Sequence, residues 1–218
     1  MSNLQKTVYL VRHGETEYNA ALRHQDNSVV LSKQGVKQAD ALVTYFASLP
    51  VEVCIASAAT RTQATLQPLA LALGHELIIE PLFNERKDPA EIEHQYKSDP
   101  AVKKIEAEIL ARSEDADWHY ADEENYHDMI ARARTALQYL TNRPESSLVV
   151  ATHHKMIKYL FGALAEPTLP APLWRSLIYE GMNLNNGSVT VLTKNPADSV
   201  TDNWRVVTWG DVSHLRGL

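Results

Sequence analysis

A single cysteine, Cys54, excludes an internal disulfide in this chain of 218 residues. It sits in the apolar run "VEVCIAS", where a buried structural thiol is the expected reading. No apolar run approaches the ~18 residues that a membrane span requires, so no membrane partner is expected. Met1 to Gln5 precede the first apolar run and leave no room for a signal peptide, so a cytoplasmic location is expected. Paired-cysteine and H-E-x-x-H patterns are both missing. Internal repeats, low-complexity tracts and long linkers are missing as well, and the sequence reads as one domain over residues 1–218.

The charge that is present is unevenly placed. The formal net charge is -6, yet the segment from Glu85 to Asp128 alone holds 14 acids against 6 bases, which leaves the remainder close to balance. That acidity would repel nucleic acid and other extended polyanions. The partner expected instead is a small molecule. Oligomeric state is open, with a homodimer among the options.

Hydrophobic periodicity alternates between strand and helix. Thr7 to Val11 ("TVYLV"), Val51 to Ala56, Glu76 to Glu80 and Ser147 to Ala151 read as buried strands, and Ser188 to Thr193 and Trp204 to Trp209 as strands closing the sheet. Helices are predicted from a Ser32 cap to Leu49, from Ala58 to Leu73 with a stop at Gly74, through Tyr126 to about Asn142, and over Lys155 to Leu164. The middle reads as helical, with "DPAE" at Asp88 and "DPAV" at Asp99 as aspartate caps followed by proline. The Pro-rich stretch from Glu166 to Trp174 reads as an ordered loop. The expected fold is α/β: a three-layer α/β/α sandwich on a mostly parallel sheet, with a helical insert over residues 85–128.

Open α/β sheets place their chemistry at the carboxyl ends of strands. Three polar clusters fall there: Arg12, His13 and Gly14; Ser57 to Arg61; and Thr152, His153 and His154. Arg12 and Arg61 offer planar donor forks that suit phosphate or carboxylate. His13 could serve as nucleophile, general base or metal ligand. Arginines beside it would repel a cation, so neither a metal nor another cofactor is expected. Asn19 adds a neutral donor, and the residues together describe a site for a dianion of phosphate size.

These residues fall in five ordered blocks: "LVRHGETEYN", "LSKQGVKQA", "IASAATRTQAT", "FNERKDP" and "VVATHH". Together they resemble the histidine phosphatase superfamily, the phosphoglycerate mutase-like proteins. The resemblance implies that His13 takes the phosphoryl group, and that Arg12, Arg61 and a cationic His153 bind its oxygens with help from Asn19. It also implies that Glu85 protonates the leaving oxygen and then activates water. His154 stands where the family commonly has glycine, and His154, Arg86 and His24 are further candidates to line the pocket. Arg86 has an alternative, pairing with Glu85 or Asp88. The chain reads "LRHQDN" and "NERKDP" where mutases usually carry an arginine-aromatic-x-glycine segment and a "NERHYG"-like block. The expectation is therefore a metal-independent phosphatase acting on a small phosphorylated metabolite. A cofactor-dependent phosphoglycerate mutase is the first alternative. The second is a non-catalytic module that binds phosphorylated ligands.

Overall fold

The computed structural model describes residues 5–164, 169–195 and 203–218. Six strands form one sheet: β1 (Lys6–Arg12), β2 (Val53–Ala56), β3 (Leu77–Ile79), β4 (Ser147–Thr152), β5 (Val189–Lys194) and β6 (Trp204–Asp211). Their order is β3-β2-β4-β1-β5-β6. β3, β2, β4 and β1 are mutually parallel, whereas β5 and β6 join antiparallel at the β1 side. The sheet is thus mixed: the four strands built from β-α-β units are parallel, and the last two run antiparallel to their neighbours.

Alternation along the strands sorts two cores. Val8, Leu10, Val53, Ile55, Leu148 and Val150 face one side, where they meet α5 (Tyr126–Asn142), α6 (His154–Ala163) and α7 (Ala171–Trp174). Val11, Cys54, Ala56, Val149 and Ala151 face the other, against α2 (Lys33–Phe46) and α3 (Thr60–Leu73). β4 is buried at every position, as a central parallel strand must be. Cys54 packs in the second core, where burial pushes its thiol up to about 11. This is the expected α/β three-layer arrangement.

Local signals explain most helix ends. The Ser32 side chain accepts from Gly35 N, and Gly74 closes α3 in the left-handed region at φ 69°. Asp99 caps α4 (Pro100–Ala111) as its sequence predicts. Asp88 does not cap a helix: residues Ala90–Ile92 make only a 3-10 turn, and the Asp88 carboxylate is held by cations instead. Between Glu85 and the start of α5, α4 is the single α-helix, so the insert is mainly irregular chain rather than helical. In the Pro-rich stretch, residues 166–168 lie outside the described residues. Beyond them α7 and a π-helical turn, Arg175–Glu180, replace the expected loop. A short helix after β1, α1 (Glu17–Ala20), carries a Thr16/Asn19 capping box that sequence reading does not anticipate.

Two glycines set the distance between β1 and α2. A Cβ on Gly14 would stand 2.6 Å from Gly35 O, and one on Gly35 would stand 2.0 Å from Glu15 O. Gly14 therefore makes room for the first turn of α2. Gly35→Ala should lower the unfolding free energy by about 3 kcal/mol, read from urea melts followed by circular dichroism. An unchanged midpoint would show that this contact is not tight.

Candidate active site

The β1–β4 register brings the strand ends together. Arg12 pairs with Thr152, and His13 N donates to Thr152 O at 3.0 Å. His13 and His153 leave adjacent strands side by side, with ring centroids 5.2 Å apart. Both are buried, as is Arg61 in the first turn of α3. The structure thus gathers Arg12, His13, Arg61 and His153 at one sheet edge.

His13 Nδ1 donates to Gly14 O at 2.7 Å, since a carbonyl can only accept. The lone pair of the neutral ring is then on Nε2. Burial first, then the nearby Arg61 and Arg12 guanidiniums, hold the imidazole well below its ordinary value. The ring is therefore neutral at physiological pH. The loop before β5 fixes its backbone: Asn186 Nδ2 donates to His13 O at 3.0 Å and to Asn19 Oδ1 at 3.1 Å. Asn19 Oδ1 also accepts from Thr16 N and Oγ1, which leaves Nδ2 as the Asn19 donor for a ligand.

His153 is not cationic. Arg61 Nη2 can only donate, so His153 Nδ1 accepts from it at 3.2 Å. The neutral ring then carries its proton on Nε2 and donates to Ser57 Oγ at 2.7 Å. Ser57 passes the chain to Thr62 Oγ1 at 2.7 Å, which donates to Ala59 O. Burial, then Arg61, keeps this imidazole well below its ordinary value. The positive charge of the site comes from the two arginines. Arg12 donates through Nη1 to Leu184 O, and burial brings it down to about 10. Arg61 Nη1 donates to Asp26 O at 2.6 Å.

Glu85 reaches the site from the loop after β3. Arg132 clamps that loop, donating to Leu82 O, Asn84 O and Glu85 O while forming a bidentate pair with Glu124 at 2.7 Å. The Glu85 carboxylate accepts from Arg86 N, Lys155 N and Met156 N at 3.0–3.2 Å. Two of those donors open α6, so Glu85 sits at the positive end of that helix. A cavity of about 440 Å³ opens at Arg61 and Glu85.

Arg86 lines that cavity and His24 does not. Both meet Asp88, which Arg86 Nη2 reaches at 2.6 Å, Lys155 Nζ at 2.7 Å and His24 Nδ1 at 3.2 Å. Burial opposes the Asp88 charge, but Lys155 and Arg86 outweigh it and hold the carboxyl well below its usual range. Arg86 therefore takes the Asp88 alternative and does not pair with Glu85. His154 follows His153 out of β4, and its ring faces Tyr179 with centroids 6.3 Å apart. Burial, then Arg12 and three lysines, bring it down to about 3. Sequence reading missed Ser57 as an acceptor for His153, Arg132 as the clamp and Asn186 as the bridge. Asn186 alone left a signal, an "NNG" turn entering the strand beside β1.

The model of the histidine phosphatase superfamily (branch 1) matches residues 8–211. A probable phosphoglycerate mutase GpmB of Erwinia tasmaniensis is 29% identical over 209 residues, 95% of this chain and 94% of the relative. Its counterpart in Enterobacter sp. strain 638 is 28% identical over the same shares. Among solved structures, a mycobacterial glucosyl-3-phosphoglycerate phosphatase complexed with VO3 superposes with a TM-score of 0.76 at 24% identity, covering 94% of this chain and 99% of that one. A mutant phosphoserine phosphatase of Entamoeba histolytica in complex with phosphoserine gives 0.75 at 17% identity, covering 96% and 99%.

The buried neutral His154 makes stability depend on pH with a definite sign. Below pH 6.5 the unfolded chain takes up a proton at this residue that the folded chain refuses, so stability falls as pH falls. His154→Asn should remove that contribution. Between pH 6.5 and 4.5 the wild type should lose up to about 1.4 kcal/mol per pH unit more than the variant in urea unfolding. Parallel pH profiles would show that His154 is protonated in the folded chain.

Proposed function

Because the chain belongs to the histidine phosphatase superfamily, we propose that it hydrolyses a small phosphate monoester through a phosphohistidine on His13. The observation that supports this most is the Nδ1–Gly14 O bond, which leaves Nε2 unprotonated close to Arg61 and Arg12. Nε2 attacks phosphorus as the ester P–O bond breaks, and Glu85 supplies the proton that the leaving alcohol needs. Arg12 and Arg61 hold the equatorial oxygens, where charge resides during transfer. Glu85, now a carboxylate, then takes a proton from water. The resulting hydroxide displaces His13 from phosphorus and inorganic phosphate leaves. Acid and base roles fall to one residue because the two half-reactions mirror each other.

The named relatives favour a second reading, phosphoglycerate mutase activity. It shares the phosphohistidine and differs in returning the phosphoryl group to a second hydroxyl. A coupled assay separates the two: the phosphatase should release inorganic phosphate without stimulation by a bisphosphoglycerate.

Incubation with a labelled phosphate ester should trap an acid-labile, base-stable phosphoenzyme, and His13→Ala should abolish it. An unlabelled wild-type chain would sink the proposal, leaving the non-catalytic binding module in its place.

A further inference from the structure

A second cavity, of about 260 Å³, lies against the Glu85 side of the site and serves none of the steps above. Five aromatic side chains share its walls with six charged ones. Tyr159 of α6 and Trp174 of α7 stack at 4.3 Å, Tyr126 and Tyr179 pack on the same indole at 5.5 and 5.6 Å, and Trp118 of the insert closes the far side. Gly162 lets Trp174 approach α6, because a Cβ there would stand 2.5 Å from the indole nitrogen. Trp118 is braced by Arg112, whose guanidinium lies 4.5 Å from its ring centre.

The charged residues at this cavity are almost all satisfied by one another. Arg86 and Lys155 meet Asp88, Arg112 meets Asp115, Arg175 meets Glu180 and Glu106 meets His24. Glu123 is held more loosely. Its side chain is fully buried in the cavity wall, its Oε2 accepts no hydrogen bond, and Arg86 Nη1 pairs with it at 3.5 Å. A cavity with aromatic rings and one buried carboxylate oxygen still able to accept suits a flat, uncharged ring carrying a hydrogen-bond donor.

Its position relates it to the reaction. The leaving oxygen must lie at Glu85. That carboxylate accepts from Arg86 N and Lys155 N, and both of these residues line the cavity. The cavity that Glu85 itself lines is walled mainly by charged side chains.

We propose that the Trp118–Trp174 cavity receives the alcohol part of the substrate and selects esters of uncharged aromatic alcohols bearing a donor for Glu123. The inference rests on the phosphatase reading. The test compares kcat/KM for 4-aminophenyl phosphate, phenyl phosphate and glycerol 3-phosphate, together with calorimetric binding of 4-aminophenol alone. Trp118→Ala should cut kcat/KM on both aryl esters at least tenfold, mainly through KM, and leave glycerol 3-phosphate within twofold. Glu123→Gln should reduce the preference for 4-aminophenyl over phenyl phosphate. The free 4-aminophenol should bind the wild type and not Trp118→Ala. Equal losses on aryl and glycerol esters, or binding of 4-aminophenol with no aryl preference, would overturn the cavity's role while leaving the phosphatase reading intact. Turnover of none of the three esters would remove that reading and this one with it.

Discussion

Residue-by-residue register between β1 and β4 decides where the two imidazoles stand. The strands are parallel and central, so their carboxyl ends finish at the same level. Arg12 opposite Thr152 then forces His13 beside His153. A slip of one residue would turn every side chain of β1 to the opposite face and take Val8 and Leu10 out of the core they share with Leu148 and Val150. Burial of apolar side chains on both faces thus guards the alignment of the strand-end residues. The site inherits its precision from the core.

Within that frame, charge is arranged by exclusion. Arg61 is buried and Arg12 half-buried, and each spends one nitrogen on a backbone carbonyl, which holds the fork without neutralising it. The two histidines between them stay neutral because burial and the guanidiniums penalise a further positive charge. Neutrality matters differently for each ring. On His13 it preserves the lone pair on Nε2. On His153 it permits an accepting Nδ1, which orients Arg61, and a donating Nε2, which is anchored through Ser57 to the start of α3. A cationic His153 would have no acceptor to offer Arg61, so the cationic assignment fails on hydrogen-bond inventory alone.

What the residues revealed in advance follows from how local each signal is. Strands over residues 7–11 and 147–151 and the helices at 33–46 and 126–142 were legible, because burial writes a period into the sequence and caps such as Ser32 and Gly74 mark the ends. Arg12, His13, Arg61, Glu85 and His153 were legible as an ordered set of motifs. Contacts made across the fold were not. Asp88 precedes a proline as a helix cap should, but Arg86 and Lys155 offer its carboxylate charged donors, and these outweigh a backbone cap. That choice also takes His24 out of the pocket, while Arg86 stays in its wall. The helical turns over residues 171–180 escaped notice because Pro170 and Pro172 resemble loop punctuation, although proline fits the first turn of a helix.

The Asp88 cluster links the insert to the catalytic loop. Glu85, Arg86 and Asp88 lie within four residues, yet they serve three different neighbours. Glu85 takes the amides that open α6, Arg86 lies between Asp88 and Glu123, and Asp88 gathers Lys155 of α6 and His24 of the loop after β1. Burying so many charges is tolerable only because each is paired at close range; removing one partner would strand the rest. Arg132 adds a second tie from α5 to the same loop through three carbonyls. Glu85 is thus held from both sides. Seven of the fourteen acids of the insert, Asp88, Glu106, Asp115, Asp122, Glu123, Glu124 and Asp128, are ion-paired, so half of them are answered by the cations that the insert organises.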